Sequence, residues 1–189
     1  MSSESTEPVA AVGEDAILVA VQDALADRPG VLSTARGLSH VGEHSLGWLV
    51  LAGAGALAAH RRGDRVARTR YVEAGAGAFV AHAASVVIKR IVRRRRPSHP
   101  DIRVSVGTPS RLSFPSSHAT STTAAALLLG RAAGTPSARI GLPVALVPPM
   151  LLSRLVLGVH YPSDVAAGAL VGALTAGAVV AVDARAARN

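Results

Sequence analysis

The sequence predicts an all-α, multi-pass transmembrane bundle, and three observations point to it. Hydrophobic residues fill 49% of the 189 positions, with a mean hydropathy of +0.35, which is more apolar than a typical soluble domain. Those residues gather in long runs separated by basic or proline-containing segments. The few ionisable groups inside or beside the runs would be costly in lipid unless they had a function. By length the chain is one domain over residues 14–189, behind an acidic, polar tail over residues 1–13 that is expected to be disordered. That tail lacks the basic start and apolar core of a cleavable signal peptide.

From Glu14 to Ala26 the apolar Ile17, Leu18, Val21, Ala24 and Leu25 recur at helical spacing, with Asp15, Gln22, Asp23 and Asp27 at the other positions. This predicts an amphipathic helix ended by Arg28-Pro29-Gly30 and lying on the membrane plane. A first span runs from Leu46 to Ala59. Extending it back to Ser39 brings it near the roughly 20 residues a bilayer needs, with Trp48 close to an interface. His60 to Arg70 reads as a basic loop, and Tyr71 to Lys89 as a second span. Within that span Glu73 and His82 must face protein or water, Glu73 pairing with an arginine of the loop. His82 lies seven residues before Lys89 and so shares its helical face. Ala119 to Leu129 forms the core of a third span, Ile140 to Val159 a fourth bent by Pro143, Pro148 and Pro149, and Val165 to Val182 a fifth. Glycines such as Gly77, Gly168 and Gly172 allow close helix approach, which drives association in lipid.

Five spans bring the Lys89 to His118 loop and the Arg154 to Asp164 stretch to one face, together with the N-terminus. Lys and Arg divide almost evenly between the two faces, so the positive-inside rule does not orient the bundle. The formal net charge of +8 calls for an anionic partner. Aromatic residues are only 3% of the chain, too few for stacking on nucleic acid bases, so that partner is the bilayer and its headgroups. There are no cysteines, which excludes disulfides and thiolate metal sites.

Three segments on the shared face carry chemistry: Lys89-x6-Arg96-Pro97, Pro115-Ser116-Ser117-His118 and Ser153-Arg154-x5-His160-x3-Asp164. Lys89, Arg96 and Arg154 offer a point charge and two planar forks suited to phosphate oxygens. Ser116 reads as the cap of a helix whose first N–H groups, near Ser117 and His118, would face an anion. Pro162 suits the first position of a helix, which puts Asp164 in its first turn and within reach of the His160 imidazole.

Together these segments resemble the signature of the type 2 phosphatidic acid phosphatase superfamily, membrane lipid phosphatases related to bacterial acid phosphatases and vanadium haloperoxidases. The resemblance implies a haloperoxidase-like helical core and hydrolysis of a lipid phosphate monoester through a phosphohistidine, with neither metal nor cofactor. It further implies that His160 attacks phosphorus, Asp164 orients it and His118 protonates the leaving oxygen, with Lys89, Arg96, Ser116, Ser117 and Arg154 binding the phosphate. The chain departs from the pattern at Ser117, where glycine is usual; as the first helical residue a serine fits. Further segments, among them Arg28-Pro29-Gly30, Ser39-His40-Val41-Gly42-Glu43-His44, Ala76 to His82 and Ser113-Phe114-Pro115, are similar to the small actinobacterial members that act on decaprenylphosphoryl-5-phosphoribose in cell-wall arabinan synthesis. The resemblance also implies a plasma membrane location with the site on the outer face. The same motifs serve polyprenyl pyrophosphate and phosphatidylglycerophosphate phosphatases, and a non-enzymatic protein gathering anionic lipids is the rival from another class. Oligomeric state is not readable from the residues.

Bland readings stand beside these. Arg93, Arg94 and Arg95 read as a juxtamembrane cluster on anionic lipid, with Arg96 alone a ligand. His40, Glu43 and His44 match a zinc-binding H-x-x-E-H pattern but lack a third ligand downstream, so they read as contacts to the headgroup or the rim of the site. The loop from Ser98 to Ser113 is long enough to be functional and would cover the headgroup. Its Arg103 and Arg111 either read a sugar or second phosphate or are solvated charges.

Overall fold

The computed structural model describes residues 10–186 and 188, so most of the acidic tail lies outside the described residues. Among them are seven α-helices: α1 (Glu14–Leu25), α2 (Val31–Gly42), α3 (Leu46–Arg61), α4 (Arg65–Val92), α5 (Ser117–Ala133), α6 (Pro136–Val156) and α7 (Pro162–Ala186). The boundaries follow from capping chemistry. The Asp64 carboxylate accepts from Ala67 N at 2.9 Å to start α4, and the Ser116 and Thr135 hydroxyls do the same for α5 and α6. Gly134, in the left-handed region at φ 78°, closes α5. Pro162 opens α7, as its position predicts.

Helix α5 is the axis of the bundle, packed against α4, α6 and α7 with 12 of its 17 residues buried. Its buried residues are mostly Ala, Ser and Thr, and α7 reaches it through Gly168, where a Cβ would lie 2.7 Å from Ser116 O. The large hydrophobics point the other way: Val50 and Leu57 on α3, Phe79 and Val87 on α4, Ile140 and Val144 on α6, Leu170 and Leu174 on α7 are all exposed. A small-residue interior inside a coat of Val, Leu, Ile and Phe is the arrangement expected where lipid is the solvent.

By length and apolar composition α4, α6 and α7, of 28, 21 and 25 residues, can cross a membrane. Helices α3 and α5, with 16 and 17 residues, are shorter, so the count of five spans goes beyond what helix length establishes.

Several expectations are corrected. The first span does not extend back to Ser39, because a 3-10 turn at Glu43–Ser45 breaks the chain, with His44 and Ser45 both at positive φ. The basic loop shrinks to a turn after Arg61, and Arg65, Arg68 and Arg70 belong to α4. Trp48 is 2% exposed, packed among Ala52, Ala74 and Ala78 rather than facing an interface. Glu73 pairs with Arg131 at the end of α5, at 2.7 Å, and not with the preceding arginines; Arg131 also binds Asp183. Helix α6, with Pro143, Pro148 and Pro149 inside it, begins at Pro136 and stops at Val156, short of the expected Val159. Gln22, expected on the polar face of α1, is buried. Its amide brackets Arg103, accepting from N at 2.9 Å and donating to O at 2.7 Å, and also donates to Val156 O at 3.0 Å. Helix α1 is therefore stitched to the 98–113 loop and the end of α6.

Candidate active site

The three motifs converge at one end of the bundle, around a cavity of about 480 Å³. Lys89 comes from the last turn of α4, Arg96 from the segment beyond it, Ser117 and His118 from the start of α5, Arg154 from the last turn of α6, and His160 from the link to α7; all six line the cavity. The co-location expected from topology is thus realised in contact. Ser116 and Asp164 stand behind this wall. Ser116 is fully buried as the helix cap, and Ser117 is the first helical residue with no positive φ, so serine is accommodated there.

His160 is held with its two nitrogens in different surroundings. Its Nε2 lies 3.2 Å from Arg96 Nη1, and Nδ1 lies 3.7 Å from Asp164 Oδ2. A guanidinium can only donate, so Nε2 is the lone-pair nitrogen and Nδ1 carries the proton towards the carboxylate. The 3.7 Å separation is too long for a hydrogen bond, and Nδ1 is buried without a hydrogen-bond partner among the described residues. Burial, followed by the positive charge of Arg96 and Arg154, pushes the imidazole pKa well below its ordinary value and keeps it neutral. A neutral imidazole with a lone pair beside a guanidinium has the arrangement that nucleophilic catalysis on an anion needs.

The three cations differ in how the protein satisfies them. Lys89 Nζ donates to Ser113 O and Pro115 O, each at 2.9 Å, and to Leu112 O at 3.3 Å, so its three donors organise the loop leading into α5. Arg96 donates to Ser110 O at 2.8 Å and Val159 O at 2.6 Å, and burial lowers its pKa to about 10. Arg154 is 2% exposed and the one hydrogen bond of its guanidinium among the described residues is to Ser39 Oγ at 2.9 Å, with Nε buried and unpartnered. A buried guanidinium with most of its fork unfilled requires an anion.

His118 Nε2 lies 3.0 Å from the Ser39 carbonyl, an acceptor, so Nε2 carries hydrogen and Nδ1 is left for proton transfer. A Cβ on Gly42 would come 2.8 Å from His118 Cδ2, so only glycine leaves room for the ring. The Ser117 hydroxyl is 2.7 Å from that of Ser85 on α4.

Two residues with roles in this arrangement do not stand out in the sequence. Arg94, read as part of a lipid-facing cluster, donates to Asp164 Oδ1 at 3.0 Å, Ser163 Oγ at 2.6 Å and Glu14 Oε2 at 2.5 Å, with its guanidinium 4.0 Å above the Tyr161 ring. It neutralises the fully buried Asp164, whose Oδ2 accepts from Tyr161 N at 2.8 Å. Burial opposes ionisation of Glu14, but the bonds from Arg94 and Ser163 outweigh it and hold that carboxyl below its usual range. Ser39 is the second, serving both Arg154 and His118. It falls within a segment that carries the resemblance, whereas Arg94 has no signal beyond its place in a run of identical residues.

The 98–113 loop does line the cavity, through Val106 to Ser110 and Leu112. Arg103 does not take part: it is paired with Asp27 at 2.9 Å. Arg111 is exposed and outside the lining. His40, Glu43, His44 and His82 also line the cavity, yet no group of three or more His, Asp or Glu among the described residues is arranged to hold a metal.

Residues 70–188 match the family model of the PAP2 superfamily. The chain is 66% identical over 168 residues to the decaprenylphosphoryl-5-phosphoribose phosphatase of Mycobacterium tuberculosis, covering 89% of each chain. It is 67% identical over 156 residues to the protein of that name from Mycolicibacterium smegmatis, covering 82% of this chain and 81% of the relative. Among solved structures it is similar to a transmembrane PAP2-type phosphatidylglycerolphosphate phosphatase from Bacillus subtilis. The TM-score is 0.69 at 23% identity, over 90% of this chain and 86% of the other, a likeness of fold.

Proposed function

The chain belongs to the PAP2 superfamily, and from that premise we propose that it hydrolyses the 5-phosphate of decaprenylphosphoryl-5-phosphoribose, leaving decaprenylphosphoryl-ribose and inorganic phosphate. The observation that carries the chemistry is the Nε2 lone pair of His160, 3.2 Å from Arg96 Nη1 on the wall of a cavity that also holds the under-satisfied Arg154. The substrate assignment leans on the two mycobacterial relatives.

In this reading the phosphate sits between Arg96 and Arg154, with the N–H groups opening α5 behind it. Nε2 of His160 forms a bond to phosphorus while the bond from phosphorus to the ribose 5-oxygen breaks, and His118, which enters this step protonated on both nitrogens, gives its Nδ1 proton to that oxygen. Water then attacks the phosphohistidine, its proton passing to His118, and phosphate leaves with His160 restored. Asp164 stabilises the Nδ1–H side of His160 as positive charge develops there. Lys89 acts by holding the 112–115 backbone and by its charge, its donors being already engaged.

The protein would sit in the plasma membrane with the cavity on the outer face, and impermeant labelling of residues 98–113 in intact cells would show label there. Phosphate release by purified protein from decaprenylphosphoryl-5-phosphoribose, undecaprenyl pyrophosphate and phosphatidic acid tests the substrate. A kcat/KM for either of the last two more than about tenfold above the first would replace this assignment, and unimpaired release by His160→Ala would remove the enzymatic reading.

A further inference from the structure

We infer that the turn joining α2 to α3 is a sugar subsite, in which the Glu43 carboxylate, flanked by His40 and His44, accepts hydrogen bonds from the vicinal 2,3-diol of the ribose. The inference rests on the proposed reaction and adds the part of the site that selects its leaving group.

Displacement at phosphorus places the attacking and departing groups roughly in line. His160 attacks, so the ribose 5-oxygen departs on the side of the residue that protonates it, His118. The structure shows what surrounds that histidine. The Ser39 carbonyl holds its Nε2 at 3.0 Å, and Gly42 lies against its ring, close enough that a Cβ would stand 2.8 Å from Cδ2. Both residues belong to the end of α2, and Glu43 is the next residue along. An alcohol leaving towards His118 therefore carries its carbon skeleton towards Glu43. In ribose 5-phosphate only C5 and C4 separate the phosphate ester from the hydroxyl-bearing C3 and C2.

The chemistry at the turn suits a diol. Glu43 is half exposed in the cavity wall, 3.8 Å from His40 Nδ1 and 4.0 Å from His44 Nδ1. Both distances exceed a hydrogen bond, so neither carboxylate oxygen has a hydrogen-bond donor among the described residues. Two acceptor oxygens in a fixed fork match two adjacent hydroxyl donors, and a site built this way rejects analogues lacking them. The turn is held for the purpose: His44 (φ 49°) and Ser45 (φ 63°) are successive non-glycine residues in the left-handed region, a costly conformation of the kind that gathers at ligand clamps. His82, which also lines the cavity, supplies a third imidazole, its ring 6.0 Å from that of His44.

The experiment compares wild type and Glu43→Gln on a lipid-linked ribose 5-phosphate, its 2,3-dideoxy analogue and phosphatidic acid. Wild type is expected to favour the diol over the dideoxy substrate by roughly 10- to 100-fold in kcat/KM, the worth of hydrogen bonds to a charged acceptor, and Glu43→Gln to lose most of that preference. A merely structural Glu43 would lower both substrates alike and keep the ratio. An unchanged ratio in Glu43→Gln, or no diol preference in wild type, overturns the subsite while leaving the phosphatase reading intact. A wild type that prefers phosphatidic acid to both ribosyl lipids overturns the proposed function itself, and the subsite with it.

Discussion

The two ends of the helix bundle both carry charge, partly buried at one and buried at the other, and they treat it in opposite ways. At the far end Arg131 is matched by two carboxylates, Glu73 from α4 and Asp183 from α7, so its positive charge is locally balanced. At the near end Arg154, Arg96 and Lys89 line one cavity with only the half-exposed Glu43 on its wall, while Asp164, behind that wall, is already claimed by Arg94. Opposite charges that balance tie helices together. Positive charge left in excess, with donors unfilled, is a standing demand for an anion from outside the protein. The contrast sets Arg131 apart from Arg96 and Arg154 with no reference to their sequence context.

The sharpest way to break the contrast is at the two histidines that the proposed reaction uses. His160→Ala and His118→Ala are expected to lower kcat by at least about 1,000-fold, measured as phosphate release, with the fold kept. Next, Arg154→Gln is expected to cost roughly 100- to 1,000-fold in kcat/KM, because the site loses a preorganised charge, and Arg154→Lys to recover only part of it. Arg94→Met should act through Asp164 and cost about 10- to 100-fold in kcat with KM little changed. The pH profile gives a subtler test. His160 is held neutral well below its ordinary 6.5, so the attacking form persists into acid and the acidic limb of kcat/KM lies below pH 6.5. Arg96→Gln removes a positive neighbour, raises that pKa and moves the limb upward. At the far end, Arg131→Met should spare catalysis and lower unfolding stability by roughly 1–3 kcal/mol, read as a fall in thermal midpoint, because two partly buried carboxylates lose their partner.

The same contrast explains what the sequence made legible. Lys89, Arg96, His118, Arg154, His160 and Asp164 could be read because such residue types are expensive beside apolar runs, and their spacing survives folding. Arg94 could not, since in Arg93 to Arg96 four identical residues differ only in where the chain turns after Arg93, which caps α4 at φ 56°. Glu73 was assigned the wrong partner because nearness along the chain outweighed nearness across helices. The break at Glu43–Ser45 went unseen because no glycine or proline stands at the two residues that adopt positive φ. Lys89 lines the cavity, but its three carbonyl partners belong to a loop whose path no periodicity reveals.

The Glu14–Arg94–Asp164 chain of contacts has a consequence in time. Its members lie 80 and 70 residues apart, so the link that steadies the nucleophile joins the beginning, middle and end of the described chain. While the polypeptide is still entering the membrane, Arg96 and His118 are present before His160 and Asp164. The helix bearing Asp164 must insert and dock before the pair is braced. Competence thus arrives as the final step of assembly, and a half-made protein carries no phosphatase.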